Sequence, residues 1–161
     1  AQCLAAGGDV AVLVQGVVHA VGGELFLFIG HSGQGGKLGK QLVNSILKRY
    51  PEHNVTVAGT NAVATSSMLK GTQLRGATGE NAVIVGARKA DVIIGPVGIV
   101  IADALLGEIS PAMAVAVGQS AAVKILLPVN RCDNLVAGIT DQSINVIIED
   151  ALDKIGKIDN A

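Results

Sequence analysis

The sequence predicts an α/β domain: a three-layer, doubly wound, mostly parallel sheet of the Rossmann-like kind. Three observations carry that expectation. Residues 25–29, Leu-Phe-Leu-Phe-Ile, make an unbroken apolar run of the kind used by strands buried on both faces. Glycines follow at 30, 33, 35, 36 and 39, after which Leu38, Leu42, Val43, Ile46, Leu47 and Tyr50 share one face at a helical period. Downstream, short apolar runs alternate with helical patterns, as βα units require.

Composition bounds the remaining choices. A chain of 161 residues suits one domain, able to bury about 70% of its unfolded surface. Half of it is hydrophobic and 21 residues are glycine, nearly twice the usual share of about 7%, which favours a tightly wound domain over a disordered one. The net charge of −1, with no long block of either sign, argues against a nucleic-acid duplex as partner. Phe26, Phe28 and Tyr50 are the only aromatics, too few to stack a single strand. Cys3 and Cys132 have no metal-ligand spacing and read as reduced thiols, so no metal site is expected and the cytoplasm is the expected compartment. No Lys or Arg precedes Lys37, so the cationic start of a secretory signal is missing. The apolar run 10–21 is too short to span a bilayer and is broken by Gln15 and His19, which leaves no expected membrane partner.

Residues 1–24 form an extension without an assigned structure. Gly22-Gly23 suits a hairpin turn, yet a hairpin neighbour conflicts with a first strand at the sheet centre. A helix, a cover over the sheet and an oligomer contact all stay open. Residues 25–156 make the single nucleotide-binding-type domain, and 157–161 a tail. The helix after the glycine loop has Lys48 and Arg49 at its negative end and stops at Pro51. Residues 54–59 read as the second strand and 61–70 as a helix capped by Thr60 or Asn61. A polar loop over 71–79 precedes a helix that starts near Thr78, Glu80 and Asn81 and runs to about 90. Residues 91–95 form a strand, 99–106 a buried helix, and Ser110-Pro111 opens another helix to about 120. Residues 123–127 form a strand closed by Pro128, and 135–139 a last short one. Ile144, Ile147, Ile148, Ala151, Leu152 and Ile155 mark a terminal amphipathic helix ended by Gly156.

In an open parallel sheet, ligands bind beyond the carboxyl ends of the strands. The loops expected there are 30–39, 59–65, 95–98 and 128–134, all rich in glycine or small polar groups. At the first, backbone N–H groups open a helix whose dipole favours an anion. Gly30, Ser32, Gly33, Gln34, Gly35, Gly36 and Lys37 are the phosphate candidates, with Thr60 and Asn61 for a ribose. The spacing Gly30-x-x-Gly33-x-x-Gly36 resembles the atypical short-chain dehydrogenases, which bind NAD or NADP. The commoner dinucleotide fingerprint is half met, since Leu38 stands where its third glycine belongs. A P-loop fails twice: His31 replaces its first glycine, and Leu38 follows Lys37 in place of Ser or Thr. The end of the second strand reads Gly59-Thr60-Asn61, with neither an acid for ribose hydroxyls nor an arginine for a 2′-phosphate. The dehydrogenase Tyr/Lys pair is missing too, because Asn54 follows Tyr50 at that spacing. Catalytic residues are therefore unknown. His31 reads as a loop residue, Cys132 beside Arg131 as an idle thiol, Glu80 as a helix starter, and Asp103 and Glu108 as solvated charges.

GQGG at 33–36, GTNAVATSSML at 59–69 and GATGENAVIV at 76–85 continue through ADVIIGPVGIVIADALLGEISP at 90–111 and KILLPVNRC at 124–132. In these strings the chain resembles a family of short bacterial, glycine-rich, Rossmann-like proteins catalogued as a domain of unknown function. The resemblance implies the fold but no reaction. Its members begin almost directly at the strand before the glycine loop and carry an aspartate just ahead of GQGG, where this chain has Ser32 and an added N-terminal segment. The expected function is binding of a phosphate-bearing small molecule, a nucleotide or dinucleotide of the NAD(P) type. Any enzyme here would be an NAD(P)-dependent oxidoreductase without the usual Tyr/Lys pair. The alternative is a non-catalytic structural or regulatory subunit of a homo-oligomer.

Overall fold

The computed structural model describes residues 24–29, 35–129 and 134–160. They fold as an α/β structure. Five parallel strands, β1 (Glu24–Ile29), β2 (Asn54–Gly59), β3 (Arg75–Thr78), β4 (Val92–Pro96) and β5 (Val123–Leu127), form one sheet in the order β3-β2-β1-β4-β5. The connecting helices are α1 (Gly35–Arg49), α2 (Ala62–Leu69), α3 (Glu80–Lys89), α4 (Pro111–Gln119) and α5 (Ile144–Asp159). β1 pairs along its whole length with β2, from Glu24↔Asn54 to Ile29↔Gly59. On its other side it meets β4 from Leu25↔Val92 to Leu27↔Ile94. Both neighbours of the first strand are thus later strands.

Period-2 alternation assigns each face its core. Val92 and Ile94 of β4 join Val55 and Val57 of β2 in one cluster with Leu42, Val43 and Ile46 of α1 and Ile148, Leu152 and Ile155 of α5. Ile93, between them, joins the other cluster with Ala58, Val83 and Ala87 of α3 and Met113 and Val117 of α4. Small residues on the second face let α3 and α4 sit close to the sheet. The end of α1 is tied to α5: Tyr50 donates its hydroxyl to the Leu152 carbonyl at 2.8 Å, and Arg49 pairs with Glu149 and Asp153. The Glu149 carboxylate also raises the Arg49 pKa, keeping that guanidinium charged. Among the described residues no helix is long and apolar enough to cross a membrane.

Local chemistry explains the helix starts. Asn61, Ser110 and Ser143 are N-caps whose side chains accept from Ala64, Met113 and Val146 backbone N–H groups, and Pro111 sits in the first turn of α4. Four expectations need correction. The loop expected at 71–79 contains β3, whose Arg-Gly-Ala-Thr residues are all exposed on the sheet edge and so carry no apolar alternation. The helix expected over 99–106 is absent. A 3₁₀ turn over Val97–Val100 leads instead into a left-handed turn, with φ of 61° at Asp103, 58° at Leu105, 61° at Leu106 and 82° at Gly107. Its apolar residues are spent on single anchors: Leu105 and Ile109 are buried while Leu106 is 92% exposed. The strand expected at 135–139 is irregular, with Leu135 exposed. Finally, Gly156 does not end α5, which continues to Asp159. Its missing side chain makes room for Tyr50, whose hydroxyl would lie 2.7 Å from a Cβ there.

Candidate functional site

β2 ends at Gly59, and the chain turns immediately through Thr60 and Asn61 into α2. The turn is too tight for a side chain at 59: a Cβ would lie 2.3 Å from Thr65 Oγ1 and 2.8 Å from the Thr65 amide nitrogen. The buried Thr65 hydroxyl donates to the Asn61 carbonyl at 3.1 Å. With its one proton so directed, it accepts from the Thr78 hydroxyl 2.7 Å away, which joins the carboxyl end of β3 to the start of α2. Gly79 N–H donates to the Gly59 carbonyl at 2.9 Å and completes this corner.

A carboxylate arrives at the same corner from far along the chain. Glu108 Oε2 accepts from Thr60 Oγ1 at 2.5 Å and from Asn61 Nδ2 at 3.1 Å, with Asn61 Nδ2 also 3.4 Å from Oε1. Both contacts are charge-assisted and part-buried, which strengthens them relative to neutral pairs. Asn61 meanwhile accepts the Ala64 N–H at 2.9 Å, so its carboxamide orientation is fixed from both ends. Glu108 is carried by the left-handed turn, which closes through Asp103 N–H to the Ile109 carbonyl at 2.8 Å and Ile109 N–H to the Ala104 carbonyl at 3.2 Å. Next to it, Ser110 donates to Glu80 at the start of α3. Glu108 therefore is not a merely solvated charge. Nor is Glu80 only a helix starter: it also links α3 to the cap of α4.

Of the candidates named from the sequence, Thr60 and Asn61 stand at the carboxyl end of β2, in contact with Glu108. Gly35, Gly36 and Lys37 form the first turn of α1, which follows the carboxyl end of β1. Gly30, Ser32, Gly33 and Gln34 lie outside the described residues, as do His31, Asn130, Arg131 and Cys132. Sequence reasoning missed Glu108, and only a fold-level signal pointed to it: the chain between β4 and α4 is far longer than the 2–6 residues common in such units. Among the described residues no group of three or more His, Cys, Asp or Glu is placed to hold a metal ion. The site's chemistry is that of a carboxylate, a hydroxyl and a carboxamide, suited to a ligand rich in hydroxyl groups.

The family model described as "Domain of unknown function (DUF3842)" matches residues 31–160. No curated protein and no solved structure matches the chain.

Proposed function

The chain belongs to the DUF3842 family, a domain of unknown function, and we propose from its geometry that it binds a nucleotide or dinucleotide through phosphate at the start of α1 and ribose at the end of β2. The observation that carries this is the position of β1. It has β2 on one side and β4 on the other, so the strand order reverses between β1 and β4, and the carboxyl end of such a switch point is where open parallel sheets bind ligands. α1 begins there, at Gly35. In this reading the fold is a doubly wound, three-layer Rossmann-like domain, with α1 and α5 on one face of the sheet and α3 and α4 on the other. The first turn of α1 contains no acidic residue to offset the helix dipole, and its Gly35-Gly36-Lys37 sequence suits an external anion instead. NAD or NADP suits this reading, since both carry a pyrophosphate and a ribose. The N–H groups at the glycine-rich start hold the pyrophosphate, and Thr60 and Asn61 orient the sugar.

The test is a thermal-shift panel on the purified protein with NAD, NADP, FMN, FAD, ATP, GTP and inorganic phosphate, repeated on Gly36→Val. A ligand present at 100 times its Kd adds about 2.7 kcal/mol of stability. A shift with one nucleotide that disappears in a folded Gly36→Val protein supports the reading. No shift with any of them refutes it.

A further inference from the structure

A dinucleotide site of this architecture uses an acid at the end of the second strand to hold ribose hydroxyls, and the local sequence Gly59-Thr60-Asn61 has none. The fold supplies one from elsewhere. We infer that Glu108, delivered by the β4–α4 connection, is the ribose-reading acid of this domain and selects nucleotides with a free 2′-hydroxyl over those with a 2′-phosphate or a 2′-deoxy sugar. The inference rests on the nucleotide-binding proposal and adds its specificity.

Glu108 meets Thr60 and Asn61, the residues that directly follow β2. Its contacts with these two residues are with an O–H and an N–H donor, so there the carboxylate is already used as an acceptor of the kind of hydrogen bond a ribose diol offers. A 2′-hydroxyl entering the corner exchanges with the Thr60 hydroxyl at a cost of little more than one donor for another. A 2′-phosphate instead brings a second negative charge against the carboxylate, which is unfavourable. On neighbouring β3 the basic residue, Arg75, is in register with Thr56, and it is Thr78 that lies opposite Gly59 at the carboxyl end of β2. The geometry is also held in advance. Leu105 and Ile109 are buried on either side of the turn and fix the backbone that carries Glu108.

The experiment measures Kd by calorimetry for the pairs ATP/dATP and NAD/NADP, on the wild-type chain and on Glu108→Gln. A hydrogen bond to a charged group is worth about tenfold or more in affinity. The expected result is at least about tenfold preference for ATP over dATP and for NAD over NADP in whichever pair binds. Both ratios fall to within about threefold in Glu108→Gln. Equal wild-type affinity within each pair, with binding observed, overturns the role of Glu108 and leaves the phosphate site standing. So does a folded Glu108→Gln protein that keeps the full preference. Absence of binding by all four nucleotides overturns the nucleotide proposal and this inference with it. The wild-type ratios need no variant, so the inference stays testable if Glu108→Gln fails to fold.

Discussion

Gly59→Ala is the most informative single perturbation of the corner. The added methyl would sit 2.3 Å from Thr65 Oγ1, 2.8 Å from the Thr65 amide nitrogen and 3.0 Å from the Asn61 carbonyl oxygen. The first contact can be relieved by moving a side chain, but the other two are backbone. Relief therefore requires the start of α2 to move away from β2. That movement carries Asn61 and Thr65 together and pulls Thr65 from its hydrogen bond with Thr78 on β3. Overpacking of this kind costs about 1–3 kcal/mol, and the lost hydrogen bond about 1 kcal/mol. The expected loss is about 3 kcal/mol, or roughly 6–12 °C in Tm for a chain of this size.

Urea unfolding of four proteins tests the reasoning: wild type, Gly59→Ala, Thr65→Ala and the double variant. Thr65→Ala removes the hydroxyl clash but leaves the backbone contacts. The double variant is expected to lose less than the sum of the singles, by about 1 kcal/mol, yet to remain less stable than Thr65→Ala alone. Gly118→Ala in α4 is the control, because a Cβ there meets nothing within 4 Å. It is expected to gain about 0.5 kcal/mol from helix propensity. A Gly59→Ala cost of no more than about 0.5 kcal/mol, or two losses that add without coupling, would refute the close approach at Gly59.

Three further outcomes follow from other parts of the structure. Leu106→Gly relieves a left-handed conformation at a side chain that is 92% exposed, and thermal unfolding is expected to show a gain of about 1 kcal/mol. Ser110→Ala removes the cap on Met113 N–H and the bond to Glu80, with an expected loss of about 1 kcal/mol by chemical denaturation. Burial lowers the Lys124 pKa, so the fold releases that proton before the unfolded chain does and stability from this group rises with pH just below the usual lysine value of about 10.4. Stability measured from about pH 8 to 11 should therefore shift in favour of wild type relative to Lys124→Gln, and a gap that is flat or closes would refute this.

What was legible in the sequence was whatever periodicity encodes. The 54–59 and 123–127 strands match β2 and β5 residue for residue, because each is a short, mainly apolar run with a clear boundary. Helix starts at Asn61 and Ser110 were legible because a cap is a local hydrogen bond between neighbours in sequence. β3 was not, since an edge strand with exposed residues is specified by its pairing to β2 and by nothing in its own pattern. The 99–106 run misled for the opposite reason. It is apolar enough for a helix, but Leu105 and Ile109 are anchors for a turn. At the site, Thr60 and Asn61 were identified from their place after a strand, whereas Glu108 lies 47 residues beyond Asn61 and reaches it only through the fold.

The strained turn and the carboxylate it carries are best understood together. A connection whose only task is to lead from β4 into α4 gains nothing from three non-glycine residues at positive φ, each costing about 1–2 kcal/mol. This connection instead folds back on itself and buries Leu105 and Ile109. It thereby holds Glu108 on Thr60 and Asn61 across the corner of the sheet. Strain kept in place by its surroundings accumulates where a geometry is needed for more than stability. If that is the reason here, Leu106→Gly should separate two quantities that usually move together. The variant should be more stable than wild type and, because its turn is looser, discriminate less between ATP and dATP. A variant that is more stable and equally selective would show that the strain contributes nothing to the position of Glu108.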